Sequence, residues 1–177
     1  MAEYVTLERA VELGNAVLAE GMAKWERFAN DPAWQYCAKR AGHIGKPSTP
    51  AVVWKKKGYG LAGTAYCSLN KIEMNSNYLH SPDALKFIRN TMLHELAHIL
   101  NGYYGGRNHD YQWREICHII GDDGERFHDY RRPENAPAKD RKIIKCVKCG
   151  KEYQVTNYRY QRYSKYRCRC KGELVQM

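Results

Sequence analysis

The segment His94-Glu95-Leu96-Ala97-His98 constrains this chain more than any other. Residues four apart project from one face of an α-helix, so there both imidazoles reach a single metal ion. Glu95 then stands where it meets a water beside the metal rather than the metal itself. The surrounding residues supply the helix. Phe87, Ile88, Met92, Leu96, Ile99 and Leu100 recur at helical spacing up to Asn101. Ser81-Pro82-Asp83 reads as a capped start, and Gly102, Gly105 and Gly106 as the stop. Two unrelated surface histidines are the bland alternative, and their place within so periodic a helix argues against it.

A catalytic zinc takes three protein ligands and keeps one position open. The metzincin spacing would place Gly at 101 and His at 104, but the chain has Asn101 and Tyr104. His109 is the best placed third ligand: the turn YYGGRN before it lets the chain fold back, and Trp113 follows four residues on. Glu115, His118 and the Asp122-Asp123 pair are weaker choices, and Cys67 would serve a peptide-deformylase-like site. Zinc lowers the pKa of water to roughly 7. Glu95 would accept the proton and later pass it to a leaving amine. The expected chemistry is peptide-bond hydrolysis without a covalent intermediate.

The formal charge of +10 is unevenly spread. From Lys139 onward 12 Lys and Arg face 3 Asp and Glu, or +9, while residues 1–138 sum to +1. A basic tail of this kind points to an anionic partner, nucleic acid or membrane surface. The same tail holds four of the seven cysteines, as Cys146-Val147-Lys148-Cys149-Gly150 and Cys168-Arg169-Cys170. So short a segment buries too little apolar area to fold without a staple, so a four-cysteine structural zinc ribbon is expected. Four thiolates and one zinc would trim the tail to about +7. Between the pairs, tyrosines alternate with cations. Stacking on bases and pairing with phosphates would fall to Arg159, Tyr160, Arg162, Tyr163, Lys165 and Arg167. Some tyrosines would instead fill the ribbon's core. Cys37, Cys67 and Cys117 read as buried thiols, and the odd total argues against a disulfide framework.

The rest of the chain fits an α+β protein. Thr6 caps a helix to about Phe28, with Leu7, Val11, Leu18, Trp25 and Phe28 on its apolar stripe and Gly14 and Gly21 on or near the same seam. Asp31-Pro32 opens a shorter helix through about Lys39. Strands are expected over Ala51–Lys55, Thr64–Ser68 and Lys71–Met74, and a further helix over Asp110–Ile120. Arg132–Lys139, with two prolines, reads as a linker. No apolar run approaches the ~18 residues of a membrane span. The charged N-terminus is unlike a signal peptide, so an intracellular protein, a monomer by default, is expected.

NKIEMNSNYL (70–79), FIRNTMLHELAHIL (87–100), HDYQW (109–113) and YRCRCKGEL (166–174) together resemble the SprT-like metalloprotease family, which includes Spartan. The likeness runs through most of residues 59–177. It implies a helical HExxH metalloprotease domain with a small β-sheet over residues 1–132, a linker over 133–142, and a zinc ribbon over 143–177. It implies His94, His98 and His109 as ligands of a catalytic zinc and Glu95 as the base. Cys146, Cys149, Cys168 and Cys170 would hold a structural zinc. The activity implied is DNA-associated degradation of proteins bound or crosslinked to DNA, single-stranded DNA included. Where many relatives have glycine after the third histidine, this chain has Asp110, and its second cysteine pair has one intervening residue. Two other readings compete: a non-enzymatic nucleic-acid-binding module with two structural zincs, and a toxin-like or virus-encoded protease.

Overall fold

The computed structural model describes residues 5–126, 130–131 and 142–177. It is a mixed α+β protein with five α-helices and two small sheets among the described residues. The chain divides into two compact units, Met1–Glu134 and Asn135–Met177. The linker expected over 133–142 lies, but for Lys142, outside the described residues. No described helix is long and apolar enough to cross a membrane.

In the first unit, α1 (Leu7–Glu26) starts at Thr6, whose side chain accepts a hydrogen bond from the Arg9 N–H. Asp31 caps α2 (Pro32–Arg40) in the same way, through the Ala33 N–H. The buried face of α1 is Ala10, Gly14, Leu18, Gly21, Met22 and Trp25. Gly14, Leu18, Gly21 and Trp25 are buried as expected, but Leu7, Val11 and Phe28 are exposed, which corrects the ends of the stripe. The seam follows small residues that admit α3, so the bulkier end positions fall outside it. Gly14 and Gly21 lie so close to α3 that a Cβ on them would meet Met92 and Leu96 at 2.9 and 2.8 Å.

Three strands form a sheet in the order β1-β3-β2. β1 (Ala51–Lys55) runs parallel to β3 (Lys71–Asn75), and β2 (Gly63–Tyr66) pairs antiparallel on its other side. Chain reversal by a short 3-10 turn at Cys67–Leu69, closed by Asn70 in the left-handed region, ends β2 earlier than Ser68. One face of the sheet, with Val52, Trp54, Ile72 and Met74, packs into the core. The central element of that core is α3 (Ala84–Tyr103), which buries Phe87, Ile88, Met92, Leu96, Ile99 and Leu100. α4 (Tyr111–Ile120) adds Trp113, Ile116 and Ile120.

Asp83 does not cap α3 through its side chain. Its carboxylate instead receives the Arg131 backbone N–H at 2.9 Å and the Arg131 guanidinium at 2.7 Å. That cation holds the Asp83 carboxyl down to about 2. The Ser81 hydroxyl donates to the Arg131 carbonyl at 2.6 Å. One residue earlier, the Tyr130 hydroxyl accepts from Thr91 at 3.2 Å. Residues 130–131 are thereby stapled to the N-terminal half of α3.

In the second unit, β4 (Lys142–Cys146) pairs antiparallel with β5 (Glu152–Val155) and β6 (Leu174–Gln176). A short α5 (Asn157–Gln161) lies between β5 and β6. Its buried core is Ile144, Cys146, Val155, Cys168 and Leu174, with Tyr153, Tyr160 and Tyr163 packed against it.

Candidate metal centres and the adjoining cleft

α3 presents His94 and His98 on one face, and the loop after it returns His109 to the same point. The three Nε2 atoms lie 3.2, 3.3 and 3.4 Å apart. Three neutral imidazoles offer too few N–H groups, in the wrong directions, to satisfy such a triangle by hydrogen bonding. A central cation satisfies all three. Nitrogens about 2.0–2.1 Å from a tetrahedral ion are about 3.3–3.4 Å from one another, so the set fits zinc. Burial, reinforced by His94 and His109, holds His98 down to about 3, in the neutral form a metal needs. Trp113, fully buried, forms the floor: its ring centroid is 5.0, 5.3 and 4.6 Å from those of His94, His98 and His109.

His109 adopts φ +54°, the left-handed region that non-glycine residues seldom visit. A clasp holds it there. Asn101 Nδ2 donates to the Arg107 carbonyl at 2.7 Å, and the Arg107 N–H donates to Asp110 at 2.6 Å. Asp110 also caps α4 by accepting from the Trp113 N–H at 2.8 Å. Asp110 therefore closes the loop through its side chain. Asp110→Ala is expected to cost about 1–2 kcal/mol, measured by denaturant unfolding. It should also weaken metal binding at the histidines, measured by titration with a competing chelator.

Glu95 is 8% exposed and opens into a cleft of about 410 Å³. Burial raises its carboxyl to about 7, against the opposing pull of a hydrogen bond from the Ala65 N–H and of the Lys57 charge. β2 is an edge strand, which leaves the Ala65 amide available to Glu95. Gly63 makes that approach feasible. A Cβ there would lie 2.8 Å from Glu95 Cγ and 2.9 Å from Oε1. Arg126 and Tyr130 complete the cleft wall. Gly63, Ala65, Arg126 and Tyr130 had no mark in the sequence as cleft residues, since they belong to no spaced motif. Cys67, expected to be a buried thiol, is exposed at the cleft's edge, and Cys37 is partly exposed. Cys67 follows the end of β2 immediately, where the chain turns outward. The alternative third ligands Glu115, His118, Asp122 and Asp123 are not among the residues that converge with His94 and His98.

The second centre gathers Cys146, Cys149, Cys168 and Cys170, all as free thiols. Cys146 and Cys170 Sγ are 3.5 Å apart, and Cys149 and Cys168 Sγ 3.6 Å. Disulfide sulfurs would be about 2 Å apart, whereas thiolates about 2.3 Å from a tetrahedral zinc would be about 3.8 Å apart. The donor set fits zinc. The Tyr153 hydroxyl lies 3.0 Å from Cys168 Sγ, placed to donate to a thiolate. The single residue between Cys168 and Cys170 is accommodated by Lys171 at φ +63° and by Gly172, where a Cβ would meet Cys146 Sγ at 2.7 Å.

The six residues expected to contact nucleic acid divide in two. Arg159, Lys165 and Arg167 are exposed. Tyr160 and Tyr163 pack against the ribbon core, and Arg162 is half-buried with its guanidinium 4.0 Å above the exposed Tyr158 ring. Tyr160 also donates its hydroxyl to the Met177 carbonyl at 2.9 Å.

The family model for the SprT-like family matches residues 30–134. No curated protein and no solved structure matches the chain.

Proposed function

The chain belongs to the SprT-like family, and from that premise we propose that it is a zinc-dependent endopeptidase that hydrolyses proteins bound or crosslinked to DNA. The family is associated with zinc metallopeptidase activity. The observation that carries the reading is the triangle of His94, His98 and His109 nitrogens, 3.2–3.4 Å on a side, with the Glu95 carboxyl in the same cleft. A purely structural site would have no use for a carboxylate held beside the metal but outside its ligand set.

When bound, zinc would supply Lewis acidity, activating water and polarising the scissile carbonyl. The chain's own residues do the remainder. His94, His98 and His109 would hold the ion. Glu95 receives the proton from the attacking water at its carboxylate and returns it to the leaving nitrogen. The Ala65 N–H fixes the orientation of that carboxylate, and the buried wall around it excludes bulk water. The ribbon, also zinc-bound in this reading, tethers the catalytic unit to DNA through Arg159, Lys165 and Arg167. That tether raises the local concentration of protease near DNA-bound substrate.

Gly63→Ala tests the geometry. Its Cβ pushes on Glu95 and on Thr91 Cγ2, 2.6 Å away. Proteolysis is expected to fall roughly tenfold to a hundredfold, as small misplacements of a reacting group do. Zinc content should be unchanged. Wild-type activity in Gly63→Ala would show that the close approach of β2 to Glu95 is irrelevant to catalysis. The function itself is tested by incubating a DNA-binding protein with the full chain and zinc, with and without single-stranded DNA. Absence of zinc-dependent cleavage in both conditions would overturn it.

A further inference from the structure

The near-neutral charge of residues 1–138 conceals a strong internal division. Residues 42–80, which include all three strands of the first sheet, hold five lysines and a single acid, Glu73, for a net +4. The rest of residues 1–138 sums to −3. That single acid stands on the central strand, β3, between Ile72 and Met74, which both point into the core. Alternation therefore turns Glu73 to the opposite face of the sheet.

On that face three ammonium groups converge on Glu73. Lys55 Nζ lies 2.6 Å from Oε2, Lys57 Nζ 2.7 Å from Oε1 and Lys71 Nζ 3.6 Å from Oε2. The Tyr66 hydroxyl, from β2, donates to Oε1 at 3.1 Å. Lys71 sits 4.5 Å from the centre of the Tyr66 ring. The Glu73 side chain is 4% exposed, whereas those of Lys55, Lys57 and Lys71 are 54%, 25% and 26% exposed. One hidden carboxylate thus gathers three cations whose charge it only partly cancels. Solvent meets a local surplus of +2, on side chains already held in place. Glu73 is held down to about 2 by Lys55 and Lys57, and Lys55 is in turn more firmly protonated, so the surplus persists through neutral pH.

We propose that this outer sheet face, built by Lys55, Lys57 and Lys71 around Glu73, is a second nucleic-acid surface that binds the phosphate backbone of a single strand. The proposal rests on the reading that the chain works on DNA. A linear polyanion is the occupant whose chemistry fits. It carries repeated phosphates that can engage all three ammonium groups of this face, which a small anion does not. The contacts are ionic and carry no base identity, so the binding is insensitive to sequence.

The test uses the full chain with zinc and a labelled single-stranded oligonucleotide, with affinity measured against salt concentration. Each phosphate contact contributes a slope of about 0.7 in log affinity against log salt. Lys55→Gln, Lys57→Gln and Lys71→Gln together are expected to reduce the slope by about 2. The matching triple substitution to arginine should keep it. Lys55→Gln alone, at the most exposed of the three, should reduce the slope by about 0.7 while its circular dichroism at the assay temperature matches wild type, which separates lost contacts from misfolding. A wild-type slope in both glutamine variants overturns this surface while leaving the ribbon's role intact. A wild type that binds no oligonucleotide overturns the nucleic-acid reading of the whole chain. Binding to vesicles containing phosphatidylserine, without binding to the oligonucleotide, assigns the face to membranes and also overturns the proposal.

Discussion

Glu95→Gln should lower proteolysis by about 10²- to 10⁴-fold, the range that a positioned general base contributes. The carboxamide has nearly the shape of the carboxylate, and its oxygen still accepts the Ala65 N–H. It has no basic site for the water's proton. The three histidine nitrogens are untouched, so zinc content and melting temperature should match wild type. Glu95 is almost fully buried, and replacing a buried ionisable group by a neutral isostere carries no desolvation cost. Parallel assays of wild type and variant on a DNA-binding protein, with zinc measured in each, decide the matter. An equally active variant would remove Glu95 from the mechanism and return the site to a structural role.

The second large effect concerns the ribbon. Cys168→Ser is expected to unfold residues 142–177 and reduce the zinc content from two ions per chain to one. Of the five buried core residues among the described ones, Cys146 and Cys168 belong to the cysteine set that could hold a metal, which leaves Ile144, Val155 and Leu174 as buried aliphatics. Units of about 40 residues or fewer seldom fold on such a core without a metal or disulfide. Structural zinc in small domains contributes on the order of 10–16 kcal/mol of apparent binding free energy, which here is folding free energy. Limited proteolysis and zinc analysis of the full chain provide the readout. The second unit should become protease-sensitive while the first stays resistant. A ribbon that stays folded with serine at 168 would show that the tyrosines packed around it supply enough core without the metal.

How far these sites could be read in advance depends on the range of the interactions involved. His94 and His98 lie four apart on a strongly periodic helix, and helix geometry alone sets them on one face. The caps Thr6 and Asp31 are equally local, and the structure shows both accepting backbone N–H groups. Ser81-Pro82-Asp83 has the same local signature, and the Ser81 hydroxyl accepts the Asp83 N–H at 3.1 Å, but the Asp83 side chain is drawn to Arg131, 48 residues away. A bidentate guanidinium is a stronger partner for a carboxylate than a helix amide. The stripe of α1 holds at Gly14, Leu18, Gly21 and Trp25 and fails at its ends. Leu7, Val11 and Phe28 are as apolar as their buried neighbours, but the contact with α3 is set by the small residues that let the two helices approach.

The Lys55, Lys57, Lys71 and Glu73 cluster makes the same distinction in charge. In the chain these are scattered surface residues of two strands and a loop, and the sum of +1 over residues 1–138 gives no reason to notice them. Strand pairing with β3 at the centre is what brings them to one point. Residue spacing within one helix or one knuckle was enough for the two histidines, their neighbouring carboxylate and the paired cysteines, because bond geometry over a few residues carries that information. The left-handed turn that delivers His109, the Ala65 amide on Glu95, the staple at Arg131 and the charged sheet face came only with the assembled fold. Each depends on groups far apart in the chain, and their meeting is set by packing and desolvation, which no short stretch of residues encodes.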